Sequence, residues 1–342
     1  MTCFTNYTLP ELEKWFVENG MKKFRARQVW EWFYLHGTDS YAKMSNLPKK
    51  TQKFLSENMT LIQTSVDEMK TAGDDSEKRL VKLSKDNEFV ESVWIPMGSH
   101  ATVCVSTQVG CPIKCSFCAS GVDGLERNLT VGEIVEQVWY CSTAHTRRGI
   151  KNLVFMGMGE PFLNYDNLIK AIKILNDEKG LKIGSRRMTI STVGIVKRIV
   201  DFGNDVPQSN LAVSLHATTD ELRKKLIPGC PSSIDALLSA LSEYYRATHR
   251  KITYEYVLLK GINDSLGHAA ELARIIKRVP AKINLIEYNK VDFNDYESPD
   301  KKATDNFSNF LIKKGIDVAV RRKKGDDINA ACGQLRRRTA QP

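Results

Sequence analysis

The stretch Val103-Cys104-Val105-Ser106-Thr107-Gln108-Val109-Gly110-Cys111-Pro112-Ile113-Lys114-Cys115-Ser116-Phe117-Cys118 joins a predicted strand to three closely spaced cysteines. The apolar and β-branched residues at its start predict the strand, and Gly110 and Pro112 favour a turn directly after it. The cysteines follow with the spacing C-x3-C-x2-C, at Cys111, Cys115 and Cys118. A loop that wraps around one point can bring three such thiols onto one metal centre.

These three cysteines favour a metal centre over a set of unrelated buried thiols. Thiolates are soft ligands that suit iron–sulfur clusters and zinc. A structural zinc site commonly takes four ligands in two pairs, whereas the sequence has no second C-x2-C or H-x3-H pair, and only Cys104 and Cys141 are spare thiols nearby. A cluster held by three cysteines leaves one iron open for another ligand, which is a catalytic arrangement.

Strand-like and helix-like segments alternate around the cysteines, from about residue 103 to residue 321. The predicted strands are Val103–Thr107, Asn152–Phe155, Met188–Thr192, Leu211–Leu215, Thr253–Leu258 and Ile283–Glu287. The clearest helix, Val131–Thr143, begins at a predicted capping box of Thr130 and Glu133. This alternation indicates an α/β fold with a parallel sheet, here a partial (β/α)6 barrel. Ligands of such folds bind beyond the carboxyl ends of the strands.

Residues 1–60 predict a small helical module. Thr8 and Glu11 form a predicted capping box, and Gly20 suits the end of the first helix. The aromatic stripe of this module favours a hydrophobic core over a base-stacking platform. Its basic residues are the better candidates for RNA contact: Lys22, Lys23, Arg25, Arg27, Lys49, Lys50 and Lys53.

Residues 61–98 predict a β-hairpin connector, and residues 99–342 form the main unit. The hairpin strands are Leu80–Leu83 and Phe89–Ile95, on either side of a turn at 85–88. The acidic residues Asp74, Asp75 and Glu77 are expected in a solvated loop.

The composition points to a cytoplasmic protein with a polyanionic partner. The chain has 342 residues and a formal net charge of +10, and a basic surface attracts phosphates. No apolar run approaches the ~18–20 residues that span a bilayer. The start, Met1–Tyr7, lacks the features of a secretory signal. In a reducing cytosol, eight cysteines are not expected to form structural disulfides.

The cysteine spacing, with Phe117 before the last cysteine, resembles the signature C-x3-C-x-aromatic-C of the radical S-adenosylmethionine (SAM) superfamily. The resemblance implies a [4Fe-4S] cluster on the three cysteines, whose open iron chelates SAM and cleaves it reductively to a 5′-deoxyadenosyl radical. The segment Met156–Pro161 resembles the superfamily's Gly-Glu-Pro motif. By the same resemblance, the residues expected to bind SAM are Gly159, Glu160, Ser191, Ser214, Leu215, His216 and Asn289.

Within the superfamily, the sequence resembles the RlmN/Cfr family of adenosine methyltransferases. The matching stretches are Val90–Val93, Cys104–Cys111, Phe155–Pro161, Ser214–Ala217 and Gly325–Leu335. The last stretch carries Cys332, a lone cysteine among small residues. A buried inert thiol is the default interpretation of such a cysteine, but basic neighbours are expected to lower its pKa. Those neighbours are Arg321, Arg322, Lys323, Lys324, Arg336, Arg337 and Arg338. One departure from the family is Glu287, where the family often has proline.

The resemblance also implies a mechanism that uses two SAM molecules per turnover. One SAM methylates Cys332, and a radical from the second SAM takes hydrogen from that methyl group. The methylene radical then adds to an sp² carbon of adenine, which is too poor a nucleophile for direct methylation. Cys104 resolves the adduct through a transient disulfide with Cys332, and Glu91 corresponds to the family's proton acceptor.

RlmN-like enzymes methylate carbon 2 of an adenosine in 23S ribosomal RNA, and often the adenosine 3′ of the tRNA anticodon. Cfr-like enzymes methylate carbon 8 instead. The chain resembles the RlmN-like enzymes more closely. The expected partners are these RNAs and an electron donor such as flavodoxin or ferredoxin, with the chain a monomer and no membrane involved. Two other classes stay open: a non-catalytic zinc RNA-binding protein and a glycyl-radical activating enzyme. The latter would not need Cys332 or the basic N-terminal module.

Overall fold

The computed structural model describes residues 2–146, 149–321 and 324–336. Its helices are α1 (Leu9–Glu18), α2 (Lys23–Tyr34), α3 (Lys49–Asn58), α4 (Val131–Ala144), α5 (Tyr165–Asn176), α6 (Val196–Asp205), α7 (Asp220–Leu226), α8 (Ile234–Thr248), α9 (Leu266–Ile276) and α10 (Lys301–Lys313). Its strands are β1 (Thr2–Cys3), β2 (Met59–Thr60), β3 (Thr64–Thr71), β4 (Glu77–Leu83), β5 (Phe89–Met97), β6 (His100–Cys104), β7 (Gln108–Gly110), β8 (Leu125–Asn128), β9 (Ile150–Phe155), β10 (Met188–Thr192), β11 (Asn210–Ser214), β12 (Ile252–Leu258), β13 (Ala281–Glu287) and β14 (Asp317–Arg321).

Ten of these strands form one sheet in the order β14-β13-β12-β11-β10-β9-β6-β5-β4-β3. The strands from β6 to β14 in that order pair in parallel, and helices connect them as the sequence predicts. At the other end, β6, β5, β4 and β3 pair antiparallel. The α/β barrel expectation is therefore confirmed, and the predicted hairpin strands continue the barrel sheet.

Strand β3 was not predicted from the sequence. It runs Thr64-Ser65-Val66-Asp67-Glu68-Met69-Lys70-Thr71 and lies at the edge of the sheet, where most of its residues are exposed. An edge strand with few buried side chains lacks the apolar alternation that marks a strand in a sequence. Glu287, the departure from the family pattern, ends β13 in regular register with Leu258 of β12.

The N-terminal module packs its aromatic stripe inward, as expected. Phe16, Trp30 and Phe33 are fully buried, so they belong to the core. Glu11 accepts hydrogen bonds from the backbone N–H and the hydroxyl of Thr8, and Gly20 follows α1 with a φ of 73°. The capping interactions that the sequence predicts are present at this helix.

The module is fixed to the barrel through helix α4, which begins at the predicted Thr130–Glu133 capping box. The rings of Phe33 and Trp139 stack with centroids 4.9 Å apart. The Trp139 indole N–H also donates to the Phe33 carbonyl at 2.9 Å. An aromatic stack with a satisfied polar atom gives a dry, specific contact between the two units.

A second attachment is the buried carboxylate of Glu136 on α4. It accepts hydrogen bonds from the hydroxyls of Thr5 and Thr64, each at 2.5 Å, and from the backbone N–H of Gln63 at 3.1 Å. Burial raises the pKa of Glu136 to about 7, although these donors favour its charged form. One carboxylate on α4 thus binds Thr5 of the N-terminal module and the start of the connector that follows this module.

Within the described ranges, no helix is both long enough and apolar enough to span a membrane.

The Glu136 contact predicts a pH-dependent stability. The folded-state pKa of about 7 lies above the ordinary value of 4.5, so this carboxyl stabilises the fold fully below pH 4.5 and loses that contribution as the pH rises through 7. We expect the free energy of unfolding of the wild type, relative to Glu136→Gln, to fall by roughly 1–3 kcal/mol between pH 5 and pH 8.

Urea unfolding of both proteins at the two pH values measures this difference. The exposed substitution Glu57→Gln serves as the control and should show no such trend. A wild-type advantage that stays constant or grows with pH would contradict the assignment.

Candidate active site at the open end of the barrel

The cysteine loop leaves β7 through a backbone turn that only glycine fits. Gly110 has a φ of 76°, and a Cβ there would lie 2.0 Å from the Gly124 carbonyl oxygen. That carbonyl accepts the backbone N–H of Cys111 at 2.8 Å. The Cys118 N–H then bonds to the Cys115 carbonyl at 3.1 Å, which closes the loop on itself.

Neighbouring elements hold this loop from the other side. The Ser116 N–H donates to the Leu226 carbonyl at 2.9 Å, and the Asn294 side-chain amide donates to the Ser116 carbonyl at 2.9 Å. Gly229 lies so close that a Cβ would be 2.7 Å from Ile113. The backbone of the cysteine loop is therefore fixed from both sides.

The chemistry of the three cysteines fits an iron–sulfur cluster. Burial raises the pKa of Cys115 well above its ordinary value, and negative charge on Cys118, Cys111 and Glu160 adds to the effect. Three neighbouring thiolates repel one another through their negative charges. A cationic centre is therefore needed for all three thiols to ionise together. Among the described residues, no three histidine, cysteine, aspartate or glutamate side chains converge on one metal ion. In a cluster, each cysteine binds a different iron, so the thiols need not share an ion.

The Gly-Glu-Pro segment follows β9 and packs directly against β7. Gly159 has a φ of 105°, and a Cβ there would lie 2.6 Å from the Gln108 side chain. The Glu160 carboxylate accepts the N–H groups of Phe162 at 3.0 Å and Val193 at 2.9 Å. The two carboxylate oxygens of Glu160 thus join the loop after β9 to the loop after β10. Glycine is required at position 159 because the backbone there packs against Gln108 of β7.

Ser191 and Ser214 lie next to each other at the ends of two neighbouring strands. Their hydroxyl oxygens are 3.5 Å apart, on β10 and β11. Leu215 is buried, and its N–H donates to the Glu255 carbonyl at 3.1 Å. The structure therefore brings these predicted ligand contacts to the carboxyl ends of the parallel strands, as the sequence analysis expects.

His216 is buried with its ring fixed by the backbone. The Val257 N–H donates to its Nδ1 at 2.9 Å, and the ring packs edge-on against Phe117, with centroids 4.9 Å apart. Burial lowers the pKa of His216 to about 3, with Arg223 as a second cause. The ring is therefore neutral and, since Nδ1 accepts, carries its hydrogen on Nε2.

Asn289, just after β13, provides the clearest sign of a missing ligand. Its side-chain N–H group donates to the Cys332 carbonyl at 2.9 Å, while its Oδ1 is buried with no hydrogen-bond partner. A buried polar atom without a partner costs free energy. An acceptor in this position suits an ammonium or amide donor, such as the amino group of an amino-acid-containing cofactor.

Cys332 lies on a short loop held across the open end of the barrel. The Gly333 carbonyl accepts the N–H of Ala119 at 2.8 Å, and the Leu335 carbonyl accepts the hydroxyl of Ser120 at 2.6 Å. These bonds join the Cys332 loop to the residues that directly follow Cys118. The exposed thiol of Cys332 is thus fixed beside the cysteine loop.

The expected lowering of the Cys332 pKa is wrong. Surrounding protein raises the pKa of Cys332 to about 12, and charge on Cys104, Cys118 and Glu255 acts in the same direction. Arg321 alone lowers it. Lys324 and Arg336 are exposed, so solvent screens their charge. Arg322, Lys323, Arg337 and Arg338 lie outside the described residues.

Cys104 ends β6 and is buried. Burial raises its pKa to about 12. All eight cysteines are free thiols in this structure. The expected disulfide between Cys104 and Cys332 is not formed in this structure.

Glu91 is buried, in contrast to an exposed strand carboxylate. Its Oε1 lies 3.1 Å from the Lys78 ammonium, and its Oε2 accepts the Arg336 N–H at 3.0 Å. Lys78 donates in turn to the Asn329 carbonyl at 3.0 Å. This ion pair between β4 and β5 therefore holds both ends of the Cys332 loop.

The sequence analysis missed Lys78, Asn284 and Glu255, three buried polar residues on strands of the main sheet. Lys78 carries no sequence signal, since its partner Glu91 lies on another strand. Glu255 does carry one, because it is the single charged residue in the apolar strand Ile252–Leu258. A lone carboxylate in a fully buried strand indicates a functional or paired group.

In the N-terminal module, Lys22, Lys49, Lys50 and Lys53 are exposed, as their proposed role requires. Lys23 and Arg27 are also exposed, but both pair with Glu13. Arg25 is half-buried and donates to the Asn46 carbonyl at 2.9 Å.

Comparisons with known proteins agree with this geometry. Residues 105–273 match the family model of the radical SAM superfamily, and residues 4–61 match that of the ribosomal RNA large subunit methyltransferase N-terminal domain. The chain is 43% identical to the "Probable dual-specificity RNA methyltransferase RlmN" of Clostridium novyi, over 98% of each chain. It is also 43% identical to the protein of that name from Listeria welshimeri, over 96% of this chain and 92% of the relative.

Among solved structures, a radical SAM methyltransferase from Sphaerobacter thermophilus superposes with a TM-score of 0.95 at 38% identity. The match covers 98% of this chain and 99% of that structure. Full-length identity above 40% together with this superposition covers the cysteine loop, the barrel and the N-terminal module at once. The chain therefore belongs to the radical SAM superfamily and, within it, to the RlmN family of methyltransferases.

Proposed function

We propose that this chain methylates carbon 2 of an adenosine in 23S ribosomal RNA, and also the adenosine 3′ of the anticodon in tRNAs, by way of a methyl group carried on Cys332. The observation that carries the proposal is the placement of Cys332, which is exposed yet hydrogen-bonded through its own loop to the residues after Cys118. The names of the relatives, dual-specificity RNA methyltransferases, support RNA as the substrate.

The three cysteines Cys111, Cys115 and Cys118 would hold a [4Fe-4S] cluster. With SAM bound to it, such a cluster supplies the electron and the hydrogen-abstracting radical that the reaction requires. On the protein side, Ser191, Ser214, the Gly159 backbone and the orphaned Oδ1 of Asn289 line the space for SAM. The neutral Nε2–H of His216 adds a fixed donor.

Cys332 carries the methyl group from one SAM to the base, so that a second SAM is needed for hydrogen abstraction. Once the carbon of that group is bonded to adenine, the thioether must release Cys332. Cys104 takes this role through a transient disulfide with Cys332. Glu91 accepts the ring proton. Its Oε1 lies 3.1 Å from the Lys78 ammonium and its Oε2 accepts the Arg336 N–H, so the carboxylate is fixed beside the Cys332 loop.

The remaining partners follow from the surface and the chemistry. The exposed lysines of the N-terminal module bind RNA phosphates. A one-electron donor such as flavodoxin or ferredoxin reduces the cluster. We place the enzyme in the cytoplasm, where its RNA substrates are, and expect it to act as a monomer. Mass spectrometry of the modified nucleoside distinguishes carbon 2 from carbon 8.

Removal of a cluster cysteine should abolish both iron binding and methylation. Cys118→Ala deletes one of only three thiolates, so we expect iron and sulfide in oxygen-free preparations to drop to background levels. The matched control is Cys141→Ala, which removes a buried thiol on α4 and should leave the iron content unchanged. Wild-type protein that holds zinc without iron would instead support the zinc RNA-binding class.

Replacement of Cys104 should trap the substrate. In Cys104→Ala, the adduct forms on Cys332 but cannot be resolved, so RNA should remain covalently bound to the protein, as seen by a shift on denaturing gels. The double variant Cys104→Ala/Cys332→Ala should bind no RNA covalently. Recovery of free, unmodified RNA from the single variant would argue against this division of roles.

A further inference from the structure

Arg223 is a buried cation with no part in the proposed chemistry so far. It lies in the short helix α7, and only 1% of its surface is exposed. A buried guanidinium needs hydrogen-bond partners for its donors, since a buried polar group without a partner costs free energy. Within the described part of the chain, its partners are three carbonyl oxygens and one thiol, and none is a carboxylate. The side chain therefore connects backbone segments.

One half of the guanidinium binds the ends of two neighbouring strands. Its Nη2 donates to the Val193 carbonyl at 2.5 Å and to the Ser214 carbonyl at 3.3 Å. The ladder between β10 and β11 ends one residue earlier on each strand, where Thr192 pairs with Val213. Arg223 therefore joins the two strands just beyond their last paired residues.

These two strand ends carry candidate contacts to SAM. Ser214 is one of them and Ser191, two residues before Val193, is another; the two serine hydroxyl oxygens are 3.5 Å apart. The Val193 N–H also donates to the Glu160 carboxylate of the Gly-Glu-Pro segment at 2.9 Å. The Val193 peptide is therefore held on its carbonyl side by Arg223 and on its N–H side by the Gly-Glu-Pro segment.

The other half of the guanidinium binds the loop between α7 and α8. Its Nη1 donates to the Ser232 carbonyl at 3.0 Å and also contacts the Cys230 sulfur. The same loop touches the cysteine loop, where the Gly229 N–H donates to the Ile113 carbonyl at 2.9 Å. Arg223 therefore links the strand ends of the SAM site to the segment that supports the cysteine loop.

We propose that Arg223 is a positioning residue for SAM, whose guanidinium sets the ends of β10 and β11 relative to the cysteine loop. Strand ends that are free to move present their ligand contacts together only part of the time, and the apparent affinity falls by that fraction. The planar fork of arginine binds several carbonyls at once, whereas lysine offers a single ammonium group. This inference rests on the proposed function, since it takes SAM as the ligand of the site.

Equilibrium dialysis with labelled SAM tests this role on protein reconstituted with its cluster. The Cys332→Ala background serves as the parent protein, because SAM then has no thiol to methylate and binding is measured without turnover. We expect the added substitution Arg223→Lys to raise the SAM dissociation constant at least about tenfold. The iron content should stay that of the parent.

The matched control is Arg250→Lys in the same background. Arg250 donates to the side chain of Asn210, at the opposite end of β11. The same chemical change on the same strand, but away from the site, should leave the SAM dissociation constant unchanged.

Steady-state kinetics of the enzyme that retains Cys332 separate positioning from a role in the chemical step. For Arg223→Lys we expect the KM for SAM to rise with the dissociation constant and the KM for RNA to stay the same. Saturating SAM selects the aligned strand ends, so kcat should fall by less than about threefold. A larger fall in kcat at saturating SAM would contradict a positioning role.

The binding results decide between the levels of the proposal. An Arg223→Lys protein that holds its iron and binds SAM within about twofold of the parent would refute the role of Arg223 alone. Loss of iron, or equal weakening of SAM and RNA binding, would also overturn it, because either result indicates general structural damage. A parent protein that holds its cluster but binds no SAM would refute the proposed function itself.

Discussion

The backbone of the loop that carries Cys332 is held by side chains from distant parts of the chain, and the proposed chemistry depends on this attachment. Asn289 binds the Cys332 carbonyl, Ser120 binds the Leu335 carbonyl, and Glu91 binds the Arg336 N–H. A residue that carries a one-carbon group between two reaction partners must reach both with little freedom, because misplacement by about 1 Å is costly in rate. The loop is exposed, but its backbone is not free to move independently of the barrel.

Burial is the second physical theme of the site. The interior holds carboxyl groups whose pKa burial raises to about 7, at Glu160 and Glu255, a histidine held neutral, and several thiols that resist ionisation. In such surroundings, a charge is stable only beside an opposite charge. The iron ions of a cluster and the sulfonium of SAM would provide positive charge in this space. Their binding is thus coupled to the ionisation of the thiols around them.

Much of the fold could be predicted from the sequence because its signals are local. The capping boxes at Thr8 and Thr130 and the apolar strands of the barrel are patterns within a few residues, and the structure confirms them. The three-cysteine loop is equally local. Strand β3 could not be predicted, because an exposed edge strand has no apolar alternation.

The candidate site was predicted less completely, since the Lys78–Glu91 ion pair and the Glu255–Asn284 contact each join different strands. The pKa of Cys332 was predicted in the wrong direction because basic residues that are near in the sequence need not lie beside the thiol in the fold, where Cys104, Cys118 and Glu255 act to raise it.

The most direct measurement follows one labelled methyl group from SAM through Cys332 to RNA. The enzyme is first loaded on Cys332 with a heavy-carbon methyl group in the absence of reductant, then freed of excess SAM and given RNA, unlabelled SAM and reductant. If Cys332 is the carrier, the heavy carbon leaves the Cys332 peptide and appears on carbon 2 of adenosine in the first turnover. If the RNA instead acquires an unlabelled methyl group while the heavy carbon stays on Cys332, the cysteine is not the carrier.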